Sequence, residues 1–410
     1  MSSTISWALT VSLFALLGCT TLTRTDAVPA ALEDEARIPL PDLPGTVRYR
    51  VGSAKDLALL SSEFVQSWTR ERAHLASLGY HGALPATAFL ALSGGGDHGA
   101  FGAGILNGWT VAGDRPQFKL VTGISTGALI APFAFMGPAY DAKLKALYTN
   151  ISSKDVLKLR NYLAGLTSDA MADTRPLRGM LRKHVDRAFL DAIAAEYTKG
   201  RELWIATTNL DTRVRYIWNM TRIAASRDPE AMELFHSLMI ASAAIPGAFP
   251  PVMIDVEARG RRYQEMHVDG GAMAQVFVYP VGLDFEALAA THHADRRRTL
   301  YVIRNSRLDP DWAQVERRTL TIAGRAIASL IQTQGIGDLY RIYLTAQRDG
   351  LDFNLAYIPA SFTLPHKKDF ETEYMRALFQ VGYDMAANGY PWEKTPPDYV
   401  SGSGAMMPAL

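Results

Sequence analysis

Gly94-Gly95-Gly96-Asp97-His98-Gly99 and, a short way downstream, Gly123-Ile124-Ser125-Thr126-Gly127 are the stretches on which the fold turns. Each follows a short apolar run, Ala88–Leu92 and Phe118–Thr122, of the kind that forms a buried parallel strand. The chain between them, from Gly99 to Gly113, is apolar and ends on a glycine stop signal, which predicts a packed helix. Strand, helix and strand in that order make a βαβ unit. A parallel crossover brings both loops out at the carboxyl ends of their strands, where α/β sheets bind ligands. The two motifs can therefore share one site.

In Gly-x-Ser-x-Gly the flanking glycines, Gly123 and Gly127, permit a sharp turn from strand to helix that presents the Ser125 hydroxyl at the helix start. Attack by that hydroxyl on an ester generates an oxyanion, which preorganised backbone N–H groups stabilise. Gly94, Gly95 and Gly96 are placed to supply them, and Gly99 opens a helix whose positive dipole end faces the same way. A serine hydroxyl also needs a base. His267-Val268-Asp269-Gly270-Gly271 follows a predicted strand over 261–268, and Gly270 and Gly271 let the Asp269 carboxylate approach another loop. The free pKa of an aspartate is about 4, and desolvation in a cleft raises it toward a useful value.

The same residues admit other readings. Gly94-x-Gly96-x-x-Gly99 fits a dinucleotide fingerprint with Asp114 as the ribose acid, yet that acid belongs at the end of the second strand and Asp114 precedes it. No Lys-Ser or Lys-Thr follows the second glycine element, against a phosphate loop. A Ser-Asp-His triad is the alternative chemistry, with His292, His293 and His366 lying downstream of Asp269.

The three motifs, in this order, resemble those of the patatin-like phospholipases: Gly-Gly-Gly-x-[Arg/Lys]-Gly, Gly-x-Ser-x-Gly and Asp-Gly-[Gly/Ala]. The likeness runs from about Phe89 to about Asn305 and includes Ala241-Ser-Ala-Ala-Ile-Pro-Gly-Ala-Phe-Pro-Pro-Val252. It implies an α/β fold with a mostly parallel central sheet flanked by helices, a three-layer sandwich. It also implies a Ser–Asp dyad with no histidine, no metal and no cofactor, acting on fatty-acyl esters of phospholipids or lysophospholipids. Carried over, Ser125 is the nucleophile, Asp269 the base, and Gly94, Gly95 and Gly96 line the oxyanion hole. One departure stands out: the family's basic position is His98, preceded by Asp97. An aspartate aimed at the oxyanion would oppose its charge, so Asp97 is expected to turn back and cap the following helix.

The amino terminus carries a second signal. Ile5 to Cys19 is an apolar export segment, short for a membrane span, although no Lys or Arg precedes it. Leu16-Leu17-Gly18-Cys19 resembles a bacterial lipobox, which implies a signal peptide over 1–18, lipidation of Cys19, and attachment in the bacterial envelope, on the outer membrane facing the periplasm. The single cysteine leaves no disulfide within the chain. Residues 19–46, with Pro29, Pro39, Pro41 and Pro44, read as a linker, 47–393 as one α/β hydrolase domain, and 394–410 as a loose tail. Within the domain, the spacing of Leu57, Leu60, Phe64 and Trp68 predicts an amphipathic helix. Strands are expected over 203–209, 214–218, 299–303 and 353–358, and helices over 314–348 and 370–388. A net charge of +1 gives no broad attraction to nucleic acid, and nothing in the sequence fixes the oligomeric state. The expected function is a lipid-anchored serine acyl hydrolase; an acyltransferase of the same fold and a catalytically silent envelope lipoprotein are the alternatives.

Overall fold

The computed structural model describes residues 22–43, 45–160, 168–310 and 312–399. The export segment and Cys19 lie outside these residues.

A nine-stranded sheet forms the middle layer. Its strands are β1 (Arg48–Arg50), β2 (Thr87–Leu92), β3 (Phe118–Gly123), β6 (Glu202–Asn209), β7 (Val214–Asn219), β8 (Val252–Ala258), β9 (Arg261–Asp269), β10 (Arg298–Arg304) and β11 (Leu351–Tyr357), while β4 (Lys158–Leu159) and β5 (Ala172–Asp173) pair separately. The main order is β1-β7-β6-β3-β2-β10-β11, in which β6-β3-β2-β10-β11 are mutually parallel and β7 and β1 add antiparallel strands at one side. Both faces of β2 are covered, as its near-continuous apolar run Ala88–Leu92 requires. Ala88, Leu90 and Leu92 of β2 pack into one core with the helices Gly99–Ala112, Thr126–Met136, Glu230–Ser242 and Thr372–Ala387. Phe89 and Ala91 point the other way, into a second core with Leu60, Phe64 and Trp68 of the helix Ala54–Ser77. The outcome is the expected three-layer α/β sandwich.

The helix Gly99–Ala112 lies unusually close to Thr372–Ala387: a Cβ built on Gly104 would stand 2.1 Å from the Phe379 carbonyl oxygen, and one on Gly108 the same distance from that of Tyr383. This backbone contact fixes the helix that carries the glycine loop at its head.

Three features differ from the sequence reading. β8 was not foreseen; it pairs with β9 through the two-residue turn Arg259-Gly260, both at positive φ (49° and 73°), the geometry of a tight hairpin. Residues 22–43 are not a free linker, because Arg24 pairs with Asp211 at 2.8 Å, Arg37 exchanges backbone hydrogen bonds with Glu257, and Leu40 is buried. The tail to residue 399 is likewise docked. Glu393 bridges to Leu355, the Tyr340 hydroxyl donates to the Pro397 carbonyl at 2.5 Å, and Tyr399 packs edge-on to Tyr343. Residues 400–410 lie outside the described residues.

Candidate active site

The sheet brings the two reactive groups together by a change of partner along β6. β3 pairs with β6 as far as Gly123 opposite Ile205, and there the chain turns out of the sheet. β9 then takes up the same edge from the opposite direction, with Asn209 facing His267 and Thr207 facing Asp269. The carboxyl ends of β3 and β9 meet head to head, so the residues leaving each strand face one another.

Ser125 sits in that gap at φ 55° and ψ −126°, a strained backbone conformation that aims its side chain away from the following helix, Thr126–Met136. Its N–H donates to the Ser242 hydroxyl at 3.1 Å, and that hydroxyl donates to the Ala206 carbonyl at 2.7 Å, so the elbow is tied to β6. The Ser125 hydroxyl faces the Asp269 carboxyl and favours its charged form. A second oxygen contact comes from the Gly271 N–H at 2.7 Å, within the short turn Gly270–Ala272. Burial dominates over both and pushes the Asp269 carboxyl up to about 7. A carboxylate with that pKa is poised to take a proton near neutral pH.

The glycine loop leaves β2 beside this pair. Gly94 donates its N–H to the Gln275 carbonyl at 2.9 Å, so its amide is committed and it serves by close approach: a Cβ there would lie 3.2 Å from that of Ser125. Neither the Gly95 nor the Gly96 amide donates a loop hydrogen bond to another of the described residues. Gly95 has φ 151°, and a Cβ on it would fall 2.0 Å from the Asn305 carbonyl oxygen, so no other residue fits. Gly99 begins the helix behind the loop, and Gly123 and Gly127 bracket the elbow, as expected.

Asp97 does not cap the helix. Its carboxylate turns outward and accepts from His366 Nε2 and from the Phe370 N–H, each at 2.8 Å, holding residues 366–370 against the loop. The expected cap loses because two donors from a distant segment reach the same oxygen. The histidines do not form a triad with Ser125. His292 and His293 precede β10 and so lie at the amino ends of the parallel strands, opposite the elbow, where their carbonyls accept from Arg72; His366 is engaged with Asp97. Asp114, just before β3, is at that same far end.

Three supporting residues were missed by sequence reasoning: Ser242, Gln275 and Asn305. Gln275 bonds Gly94, donates to the Gly271 carbonyl at 2.7 Å and to Gln334 at 3.0 Å, and is held in turn by buried Asp338, so one residue couples the glycine loop and the turn after β9 to the helix Thr319–Arg348. Buried Asn305 accepts from the Gly102 N–H and donates to the Ser93 carbonyl, joining β10 to the head of the glycine loop. Each is an ordinary polar residue in sequence and acquires its role only through contacts far along the chain.

From Ser125 and Gly96 an apolar cleft runs inward between Leu129, Phe133, Leu177, Phe249 and Phe370. Its few polar atoms belong to the mouth, where the Thr126 hydroxyl bonds that of Tyr148 at 2.5 Å. A cleft of this character accepts a hydrocarbon chain and orients a carbonyl at its entrance.

Residues 90–281 match the sequence profile of the patatin-like phospholipases. No curated protein sequence matches the chain significantly. Among solved structures it is similar to VipD from Legionella pneumophila, at 11% identity and a TM-score of 0.38 over 75% of this chain and 67% of that one. It is also similar to ExoU of Pseudomonas aeruginosa in its complex with SpcU, at 14% identity and a TM-score of 0.31 over 75% of this chain and 52% of that one. The type III effector ExoU alone gives 14% identity and a TM-score of 0.33, over 75% and 53% of the two chains. The chain thus spans about half the length of the ExoU structures it matches.

Proposed function

On the premise that residues 90–281 belong to the patatin-like phospholipase family, a lipid acyl hydrolase domain, we propose that the chain hydrolyses fatty-acyl esters of phospholipids or lysophospholipids through a Ser125–Asp269 dyad. The observation that carries this reading is the meeting of the β3 and β9 carboxyl ends on β6, which sets Ser125, at an apolar cleft, beside the buried Asp269, whose carboxyl is pushed up to about 7. Asp269 takes the proton as Ser125 Oγ attacks the ester carbonyl, and the N–H groups of Gly95 and Gly96 receive the oxyanion. Collapse breaks the ester bond, and Asp269 returns its proton to the departing alcohol. Asp269 then removes a proton from water as it attacks the acyl-enzyme; the acyl–Oγ bond breaks, Oγ regains a proton from Asp269, and the fatty acid is freed. The acyl chain lies in the cleft throughout.

A fluorophosphonate reagent tests this directly. Its phosphorus forms a bond to Oγ with loss of fluoride, so a single adduct on the peptide containing Ser125 is expected, forming faster as pH rises through about 7. Absence of an adduct, or one on another serine, would refute the reading. Transfer of the acyl group to added lysolipid faster than to water would instead indicate an acyltransferase.

A surface for aggregated lipid supports the choice of substrate. In the helix Thr319–Arg348, Ile327, Leu330 and Ile331 are exposed, with Trp312 and Ile322 nearby, and the same helix face reaches Gln334, which bonds Gln275 beside the dyad. Arg317 and Arg325 accompany this face, while Arg318 pairs with Glu316 at 3.3 Å, and a cationic, apolar face favours an anionic lipid surface. No helix among the described residues is long and apolar enough to cross a membrane. Leu330→Glu is expected to lower activity on anionic vesicles by about tenfold while sparing a soluble short-chain ester; equal loss on both would show that the helix acts through the site rather than through the interface. The lipobox-like segment ending at Cys19 supports attachment to a bacterial envelope membrane, with the domain facing the periplasm.

A further inference from the structure

Beside the oxyanion donors, three side chains from two distant parts of the chain converge in a way the hydrolytic mechanism does not use. Asp97, 5% exposed, and His98 belong to the short turn Gly96–His98. His366 comes from the irregular stretch between β11 and the helix Thr372–Ala387. One donor atom of each residue lies within 4.8 Å of the others. The His98 and His366 rings are 5.4 Å apart between centroids, and Tyr374 backs both, at 5.7 and 4.6 Å. The contact between His366 Nε2 and Asp97 at 2.8 Å already draws two of the three groups together.

We propose that Asp97, His98 and His366 form a binding site for a divalent transition-metal ion of the zinc class, which clasps the glycine loop to residues 366–370. Two imidazoles and one carboxylate are a borderline donor set that suits zinc or cobalt, whereas calcium and magnesium require more oxygen ligands. Three protein ligands leave a fourth position for water. Ligand atoms around tetrahedral zinc stand about 3.3 Å apart, as follows from bonds of about 2.0–2.1 Å. Closing from a spacing of up to 4.8 Å asks for a shift of about 1.5 Å, within reach of His366, whose side chain is 31% exposed on a stretch without regular structure. The ion replaces the hydrogen bond to Asp97 with coordination. Phe370, whose N–H also bonds Asp97, forms part of the acyl cleft, so occupancy would fix that wall against the donors Gly95 and Gly96. Only this last consequence rests on the hydrolase reading.

The test is equilibrium dialysis of the metal-stripped full chain against zinc, with metal counted per chain. One equivalent is expected. His98→Ala and His366→Gln should each weaken binding by about tenfold or more, while Ser125→Ala should bind as the parent does. Cobalt titration should give the visible absorption of a four-coordinate nitrogen and oxygen site, and zinc should slow tryptic cleavage after Lys367 and Lys368. No stoichiometric uptake, or equal affinity in the two histidine variants, overturns the site. Loss of hydrolysis alone leaves it standing, because binding is read without turnover.

Discussion

Ser125→Ala is expected to reduce ester hydrolysis by on the order of 10⁴-fold or more with little change in stability. The substitution removes the only atom that can form the acyl-enzyme, while the backbone tie from the Ser125 N–H to Ser242 is untouched. Alanine accepts φ 55° no worse than serine, so the elbow keeps its shape. The same change removes the Ser125 hydroxyl, whose influence lowers the Asp269 pKa, so the carboxyl should titrate still higher in the variant. Hydrolysis of a chromogenic short-chain ester, together with the melting temperature, checks the first two points; retention of more than a tenth of the activity by a folded variant would remove Ser125 from the mechanism.

Asp269→Asn should separate activity from stability more sharply. Turnover should fall by about 10²- to 10⁴-fold, the usual contribution of a positioned base. Stability should move the other way, because a carboxyl with a native pKa of about 7 and an unfolded value near 3.9 binds its proton more tightly when folded. Between those two values the native chain retains a proton that the unfolded chain has released. Stability therefore declines as pH rises across this window, by as much as roughly 4 kcal/mol once both forms are ionised. Asparagine carries no charge to desolvate and keeps an oxygen for the Gly271 N–H. The variant should melt above the parent at pH 8.5, with the advantage shrinking toward pH 5. In the parent, kcat/KM should rise with pH through about 7 as Asp269 ionises; a flat profile between pH 5 and 9 would show that Asp269 is not the base.

The parts of this site that were legible in the sequence are those whose requirement is local. A sharp strand-to-helix turn needs glycine on both sides of the serine, and a loop where a Cβ would fall 2.0 Å from another segment's carbonyl oxygen can hold only glycine. Such demands leave a residue signature wherever they occur. The strand Thr87–Leu92 was equally plain, since burial on both faces leaves no polar alternation in Ala88–Leu92. What was hidden depends on contact between distant segments. Ser242, Gln275 and Asn305 are unremarkable until the sheet closes, and Asp97 could not be assigned correctly because its partners lie in residues 366–370. The strand Val252–Ala258 alternates exposed and buried residues with a glutamate and an aspartate among them, which obscured it, and proline-rich residues 22–43 gave no hint that Leu40 would be buried.

That docked amino-terminal segment limits how the molecule could stand on a bilayer. Fully extended chain covers at most about 3.5 Å per residue, so from position 19 to Arg24, where the ion pair with Asp211 begins, the leash is no longer than about 18 Å. Were acyl chains attached at Cys19, the edge of the domain bearing Asp211 and the β8–β9 hairpin would be held within two headgroup layers of the membrane. The enzyme would graze the lipid sheet beneath it rather than roam the space above.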